Sequence, residues 1–429
     1  MIEIIKEGKE IEKFFEVLNE RSSTSSGEYS NIVKGIIADI IENKDAALAK
    51  YTRKFDDENF EIANIEVSKD EQKKAFDLLD DNMKRVLYRA KDRIYSYHLH
   101  QKRTTWMYDG ELGESLGQKI TPIAKVGVYV PGGKASYPSS VLMNVMPAKV
   151  AGVKSITMVT PAVKGYINPL VLAAAYVCEV DHVYKIGGAQ AIAALAYGTE
   201  TVEKVDKIVG PGNIFVALAK REVYGTVGID SIAGPSEICI IGDKTSKVNF
   251  TAADLLGQAE HDELASSVLL IDDEQKALQI KEKVLDYYNT SSRKYILDKS
   301  LANYSRIIIV KDINEAIKLA NRIAPEHLEL AIDNADKYVD DIENAGAIFI
   351  GHYSPEALGD YMAGPNHVLP TVGTSRFFSP LGVDDFIKKT SLISFTREAA
   401  MMLIDEVNTF ANAEGLQMHA LSARVRGEE

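Results

Sequence analysis

Between Asn31 and about His100 the apolar residues return with a helical period, beginning with Ile32, Val33, Ile36, Ile37 and Ile40, and long charged helices follow to Arg93. Residues 1 to about 25 read as a short, partly helical arm that ends in the run RSSTSSGEYS, and arms of this kind often pack on a partner subunit. At Ala124 the texture changes. KVGVYVPGGKASYPSS is β-rich, broken by Pro131, Gly132 and Gly133, and leads into a helix opening near Pro138. Strand SITMVTP, helix NPLVLAAAYVCEV, strand HVYKIGG, helix AQAIAALAYGT and strand KIVGPG continue the alternation. From Ser236 a second unit of like texture runs through EICIIGD, the helix AADLLGQAEHDEL, SSVLLIDD, QKALQIKEKVLDYY, RIIIV, NEAIKLANRI, APEHLELAI and GAIFIGH. After Leu381 the chain turns to a small helical piece ending in QMHALSARVR.

This pattern predicts an α/β protein with two Rossmann-like parallel-sheet domains and small N- and C-terminal helical extensions. A chain of 429 residues is too long for one ordinary core. The expected division is an N-terminal arm at 1–25, a first α/β domain at 26–123 plus 236–380, a second at 124–235, and a helical tail at 381–429. The similar texture of the two halves fits an ancient duplication, although no residue-level period is visible. Ligands of such sheets bind beyond the carboxyl ends of the strands, where the glycine turns at Pro131–Gly133, Gly187–Gly188 and Gly210–Gly212 fall.

Composition narrows the class. Hydrophobic residues at 46% with charged residues at 26% describe a soluble globular chain, and a net charge of -13 without any concentrated basic patch argues against nucleic acid as partner. Only Cys178 and Cys239 are present, each in an apolar run, so a disulfide framework and a cysteine zinc cluster are both unavailable. The N-terminus lacks the basic flank and apolar core of a signal peptide, and the longest apolar stretch, Pro169 to Val180, is too short for a membrane span. The expected location is the cytoplasm.

Candidate chemistry gathers in a few segments. In the helix 252–264, whose start reads as capped at Thr251 with Asp254 three residues on, Gln258 and His261 leave one face a turn apart. They offer half a coordination shell for zinc or manganese, to be completed by at least one carboxylate, and they fit an ordinary polar helix face as well. Pro325-Glu326-His327 sets a carboxylate beside an imidazole; adjacent side chains point apart, which suits two separate proton transfers better than one dyad, while an ion-paired Glu326 and a packed His327 remain the alternative. Asp360 and His367 share a Gly/Pro loop, and Asp360 is a plausible third metal ligand. Glu414 and His419 lie in a segment too short for its own core, so they must dock on something, such as a neighbouring subunit's metal. The dinucleotide fingerprint GxGxxG is absent; the partial turn at Gly187-Gly188 suits a phosphate or a tight connection equally, Asn213 is placed to bond a ribose or pyrophosphate, and Tyr129 to stack on a cofactor. His98, His100, His182 and His352 lack such company and read as structural.

The runs VYVPGGKASYPSSVLMNVMPAKVAG, GGAQAIAALAYGT, VGPGNIFVALAKR, SIAGPSEI, ADLLGQAEHD, APEHLEL, GDYMAGPNHVLPT and LQMHALSARVR, in this order, resemble the histidinol dehydrogenase family over nearly the whole chain. The resemblance implies oxidation of L-histidinol to L-histidine through a bound aldehyde with two NAD and one zinc per subunit. It implies zinc held by Gln258, His261, Asp360 and His419, the last supplied in trans within a homodimer. Glu326 and His327 would be the acid/base pair; Ser236, Gln258, His261, His327, Asp360, His367, Glu414 and His419 would meet substrate; and Tyr129, Gln190 and Asn213 would line the NAD site on the 124–235 domain. Two other classes stand beside this one. A zinc metallohydrolase with Glu326 as general base lacks its usual HExxH signature, and a noncatalytic metal-dependent assembly protein would have no use for Glu326 and His327.

Overall fold

The computed structural model describes residues 2–428 except 7, 22–25 and 133–136. A six-stranded sheet, parallel throughout, runs in the order β1 (Glu3–Ile5), β11 (Arg306–Ile309), β10 (Ser266–Ile271), β9 (Glu237–Gly242), β12 (His327–Ala331), β13 (Ala347–Ile350). Every residue of β9, β10 and β12 is buried, which is why these strands read as nearly unbroken apolar runs and not as alternating ones. One face packs on α9 (Val248–Ala259), α10 (Glu274–Thr290) and α11 (Lys294–Asn303) through Leu255, Ile280 and Leu297. The other packs on α1 (Gly8–Glu20) and α12 (Ile313–Ile323) through Phe14, Phe15 and Ile317.

A second parallel sheet has the order β6 (His182–Tyr184), β5 (Ser155–Val159), β4 (Lys125–Tyr129), β7 (Lys207–Val209), β8 (Gly228–Ile229). Helices α2 (Ser26–Phe55), α7 (Gly188–Tyr197) and α8 (Ile214–Val223) cover one side. On the other, α4 (Asp81–Leu99), α5 (Pro138–Ala151) and α6 (Pro169–Val177) form the core, with α3 (Lys69–Asp77) against α6. The two parallel sheets with helical ends agree with the α/β fold read from the sequence.

Four features differ from the sequence reading. The N-terminal arm does not extend away from the chain: β1 pairs with β11, and Phe14 and Phe15 of α1 are buried in the same sheet's core. Helices α2 to α4, grouped by the reading with the first unit, pack on the second sheet, because the stripe Val33, Ile36 and Ile40 meets Ile192 and Leu218 there. A third sheet, antiparallel, joins β14 (Ile387–Ser394), β3 (Ser115–Pro122) and β2 (Trp106–Asp109), where the reading had only helix after Leu381. Its strands are exposed or half-buried along their length, so no apolar alternation marks them. Finally, α9 starts at Val248 and ends at Ala259; Thr251 is a buried interior residue and not the cap, and His261 lies just past the helix end. Helices α14 (Arg397–Ala413) and α15 (Gln417–Glu428) pair with each other beyond β14. No helix among the described residues is long and apolar enough to cross a membrane.

Candidate functional site

The acid/base candidates sit at the amino end of the six-stranded sheet, opposite to the carboxyl-end placement expected for ligands. Helix α12 closes with Ala324 in the left-handed region (φ 52°), and after Pro325 the chain enters β12 at His327. Gly346 and Ala347 donate to the carbonyls of Pro325 and Glu326, both at 2.9 Å. A Cβ on Gly346 would stand 2.5 Å from the Glu326 carbonyl oxygen, so this approach requires glycine.

Both candidate side chains are held by one residue of the neighbouring strand. Glu326 Oε2 accepts from the Glu237 amide at 3.0 Å, and His327 Nδ1 lies 3.2 Å from the Glu237 carbonyl oxygen. A carbonyl can only accept, so Nδ1 carries the proton and Nε2 keeps the lone pair. His327 Nε2 is buried without a hydrogen-bond partner among the described residues, 3.9 Å from Asp360 Oδ1. Burial pushes the imidazole down to about 3, with His261 and His367 adding to the effect, so the ring is neutral. Burial raises the Glu326 carboxyl well above the usual carboxylate range, against the opposing pull of the Glu237 amide.

Next to them lies a set of oxygen and nitrogen donors. One ligand atom from each of His261, Glu356 and Asp360 falls within 4.8 Å of the others. Gln258, fully buried in the last turn of α9, faces Glu356 with its amide nitrogen at 2.6 and 2.8 Å and His261 Nδ1 with its oxygen at 3.2 Å. Asp360 comes from the one-turn π-helix Gly359–Ala363, which follows the short α13 (Glu356–Leu358). Its carboxyl is pushed up to about 6 by burial, and Glu356 well above the usual range by burial and then by Asp360, Glu326 and Glu329. A cation among these carboxyls would relieve both costs, and the mixed N/O donor set suits zinc or manganese. The residues present therefore fit a metal. Glu356 was not singled out in the sequence; its position four residues ahead of Asp360 was the available signal.

His367 Nδ1 is 3.9 Å from Asp360 Oδ1, and its Nε2 is 3.4 Å from Ser140 Oγ. Its ring is pushed down to about 4, mainly by burial. His327, Asp360 and His367 line a cleft of about 890 Å³, walled by Tyr97, Phe349 and Leu381. Ser236 directly precedes β9 and so stands next to the Glu237 peptide that holds the pair.

The three residues expected at a cofactor cluster loosely at the carboxyl ends of the second sheet. Tyr129 ends β4, and its hydroxyl accepts from the Gly188 amide at 3.1 Å. Gln190 is buried in α7 and donates to Asp56 Oδ2 at 3.3 Å, while Asp56 also takes the Gly187 amide. Asn213 is exposed and caps α8, its Oδ1 accepting from Phe215 and Val216. Tyr129 and Gln190 thus brace the glycine turn from behind, and of the three only Asn213 is exposed. The turn at Pro131–Gly133 is described only to Gly132; Gly133 and the run to 136 lie outside the described residues.

Glu414 and His419 are not brought to this cluster within the chain. Glu414 caps α14 and His419 lies in the first turn of α15, both exposed. On the same two helices Met402, Phe410 and Met418 are 62%, 71% and 68% exposed, apolar side chains that nothing among the described residues covers.

Comparison with known proteins gives a consistent result. A family model described as histidinol dehydrogenase matches residues 19–427. Histidinol dehydrogenases of Clostridium acetobutylicum and Bacillus cereus are each 50% identical, over 428 and 426 residues, with 99% of both chains covered in each case. The crystal structure of histidinol dehydrogenase from Elizabethkingia anophelis superposes with a TM-score of 0.94 at 37% identity, covering 100% of this chain and 98% of that one.

Proposed function

Because the chain belongs to the histidinol dehydrogenase family of oxidoreductases, we propose that it oxidises L-histidinol to L-histidine in two NAD-linked steps, with one zinc per subunit, in the cytoplasm. The observation that carries the chemistry is the state of His327: neutral, proton fixed on Nδ1 by the Glu237 carbonyl, and a free Nε2 lone pair beside Asp360.

Gln258, His261 and Asp360 would hold the metal, with His419 of a second subunit completing the set and Glu356 bearing on the same centre. Zinc, when bound, supplies an anchor for the imidazole and amine nitrogens of the substrate. NAD supplies the hydride acceptor, and Tyr129, Gln190 and Asn213 would line its site. In the first step His327 Nε2 takes the hydroxyl proton as hydride leaves the carbinol carbon, giving the aldehyde. As water adds to the aldehyde carbon, the Glu326 carboxylate, whose burial makes it bind a proton more readily than usual, takes one proton from the water, and protonated His327 returns its proton to the aldehyde oxygen, which gives the diol and frees Nε2 again. His327 then takes a hydroxyl proton of the resulting diol as the second hydride leaves, and the carboxylic acid remains. Ser236, His367 and Glu414 would contact substrate, Glu414 by pairing with its ammonium group. The exposed apolar side chains of the tail and the absence of Glu414 and His419 from their own chain's cluster support a homodimer in which each tail completes its partner's site.

The test is NADH absorbance from metal-loaded protein with limiting L-histidinol and excess NAD. The expected result is two NADH per histidinol, abolished by a chelator and restored by zinc. One NADH per histidinol would mean the aldehyde escapes, and none from a folded, metal-loaded dimer would overturn the proposal.

A further inference from the structure

Glu237 is tied at both ends. Its main chain donates to Glu326 and faces His327 Nδ1, at 3.0 and 3.2 Å. Its side chain accepts from the Val372 amide at 2.9 Å and pairs with the Arg21 guanidinium, which also donates to the Leu264 carbonyl at 3.1 Å. The Arg21 and Glu237 side chains are only 1% and 7% exposed. One ion pair therefore joins the end of the N-terminal arm, the turn that carries His261, the segment after His367, and the strand peptide that grips both acid/base side chains.

Stability alone gives little reason for such a pair. Taking two charges out of water costs several kcal/mol per ion, and apolar replacements of like volume are often neutral or stabilising. What the pair does supply is a directional constraint on one peptide group, whose amide and carbonyl set the Glu326 carboxyl and the His327 tautomer. We propose that Arg21 and Glu237 are positioning residues for both oxidation steps, holding the Glu237 peptide so that Glu326 and His327 keep their separate tasks; this rests on the roles given to those two residues above.

The variants are Arg21→Met, Glu237→Gln and the double variant, which leaves no buried charge unpaired. Each is assayed for both half-reactions, from L-histidinol and from L-histidinaldehyde, with zinc per chain and thermal midpoint measured alongside. Expected is a fall in kcat of about 10–100-fold in both half-reactions, with KM and zinc content unchanged, as for loss of a group that orients a reacting one. The double variant is expected to regain thermal stability without regaining kcat. Recovery of kcat together with stability in the double variant would reduce the pair to a structural role and overturn the proposal, as would unchanged kcat in all three.

A second readout needs no turnover. In protein labelled with ring-¹⁵N histidine, His327, assigned by its absence in His327→Gln, is expected as the Nδ1–H tautomer in the unsubstituted chain and as a mixture in the variants. An unchanged tautomer overturns the positioning role even if the chain proves inactive on histidinol, so that failure here and failure of the proposed reaction are told apart.

Discussion

Glu326→Gln is expected to separate the two oxidations proposed above. In the structure the carboxyl accepts one hydrogen bond, from the Glu237 amide at 3.0 Å, and the oxygen of a glutamine amide accepts it equally well. The residue is 6% exposed, and its carboxyl is raised well above the usual range, so the fold already disfavours the charged form. Replacing it by a neutral isostere is therefore expected to change stability by no more than about 1 kcal/mol. What is lost is the carboxylate form, which, once the group has given up its proton, is the one that accepts a proton from water. General-base assistance is worth about 10²–10⁴ in rate, or roughly 2.7–5.4 kcal/mol of barrier, and that loss should fall on hydration of the aldehyde. The alcohol step, assigned above to His327 Nε2, should keep its rate. The assay is stopped-flow NADH formation from limiting L-histidinol, with the aldehyde trapped by a hydrazine. The expected record is one fast NADH followed by a second slowed by the factor above, with trapped aldehyde accumulating between them. Equal slowing of both NADH phases, or two NADH at the original rate, would refute the division of labour between these neighbours.

Three further outcomes follow from the geometry. Glu356→Gln, which removes a carboxylate from the cluster that Gln258 and His261 share, is expected to weaken zinc retention about 10–100-fold, read by competition with a chromogenic chelator. Gly346→Ala drives a methyl group to 2.5 Å from the Glu326 carbonyl, so the start of β12 must shift; kcat is expected to fall at least tenfold, by about 1.4 kcal/mol or more, at near-normal zinc content, and unchanged kcat would show that the strand tolerates the shift. Glu329, 4% exposed, has its carboxyl raised well above the ordinary 4.5, first by burial and then by Asp254. The folded chain thus keeps the proton where the unfolded chain has lost it, so the stability tied to this group is full below about pH 4.5 and declines as pH rises toward the folded value. Glu329→Gln, which can still accept from the Glu356 amide, should flatten that decline in urea midpoints measured from about pH 5 to 8, and parallel curves would contradict the assignment.

The sequence by itself determined the elements whose signal is local. Buried parallel strands announce themselves as apolar runs such as ICII and SVLL, and helices by their period, so the two α/β units were legible without coordinates. Gln258 with His261, Glu326 with His327, and Asp360 with His367 were legible as candidates, because short polar motifs beside glycine or proline stand out in a chain otherwise built for packing. Only the tertiary structure decided which segments meet. Strands β3 and β14 pair across most of the chain and are wet along their length, so neither burial nor proximity in sequence marks them. Helices α2 to α4 carry an apolar stripe that would suit either sheet, and the choice lies in complementary surfaces that no single segment encodes. The same holds in the site, where Glu356, Arg21 and Glu237 look in sequence like ordinary surface charges. They become functional candidates only because folding removes them from water and sets Glu356 beside Gln258, His261 and Asp360, and Arg21 against Glu237, and the energy of a buried charge depends on what surrounds it in space and not on its neighbours in the chain.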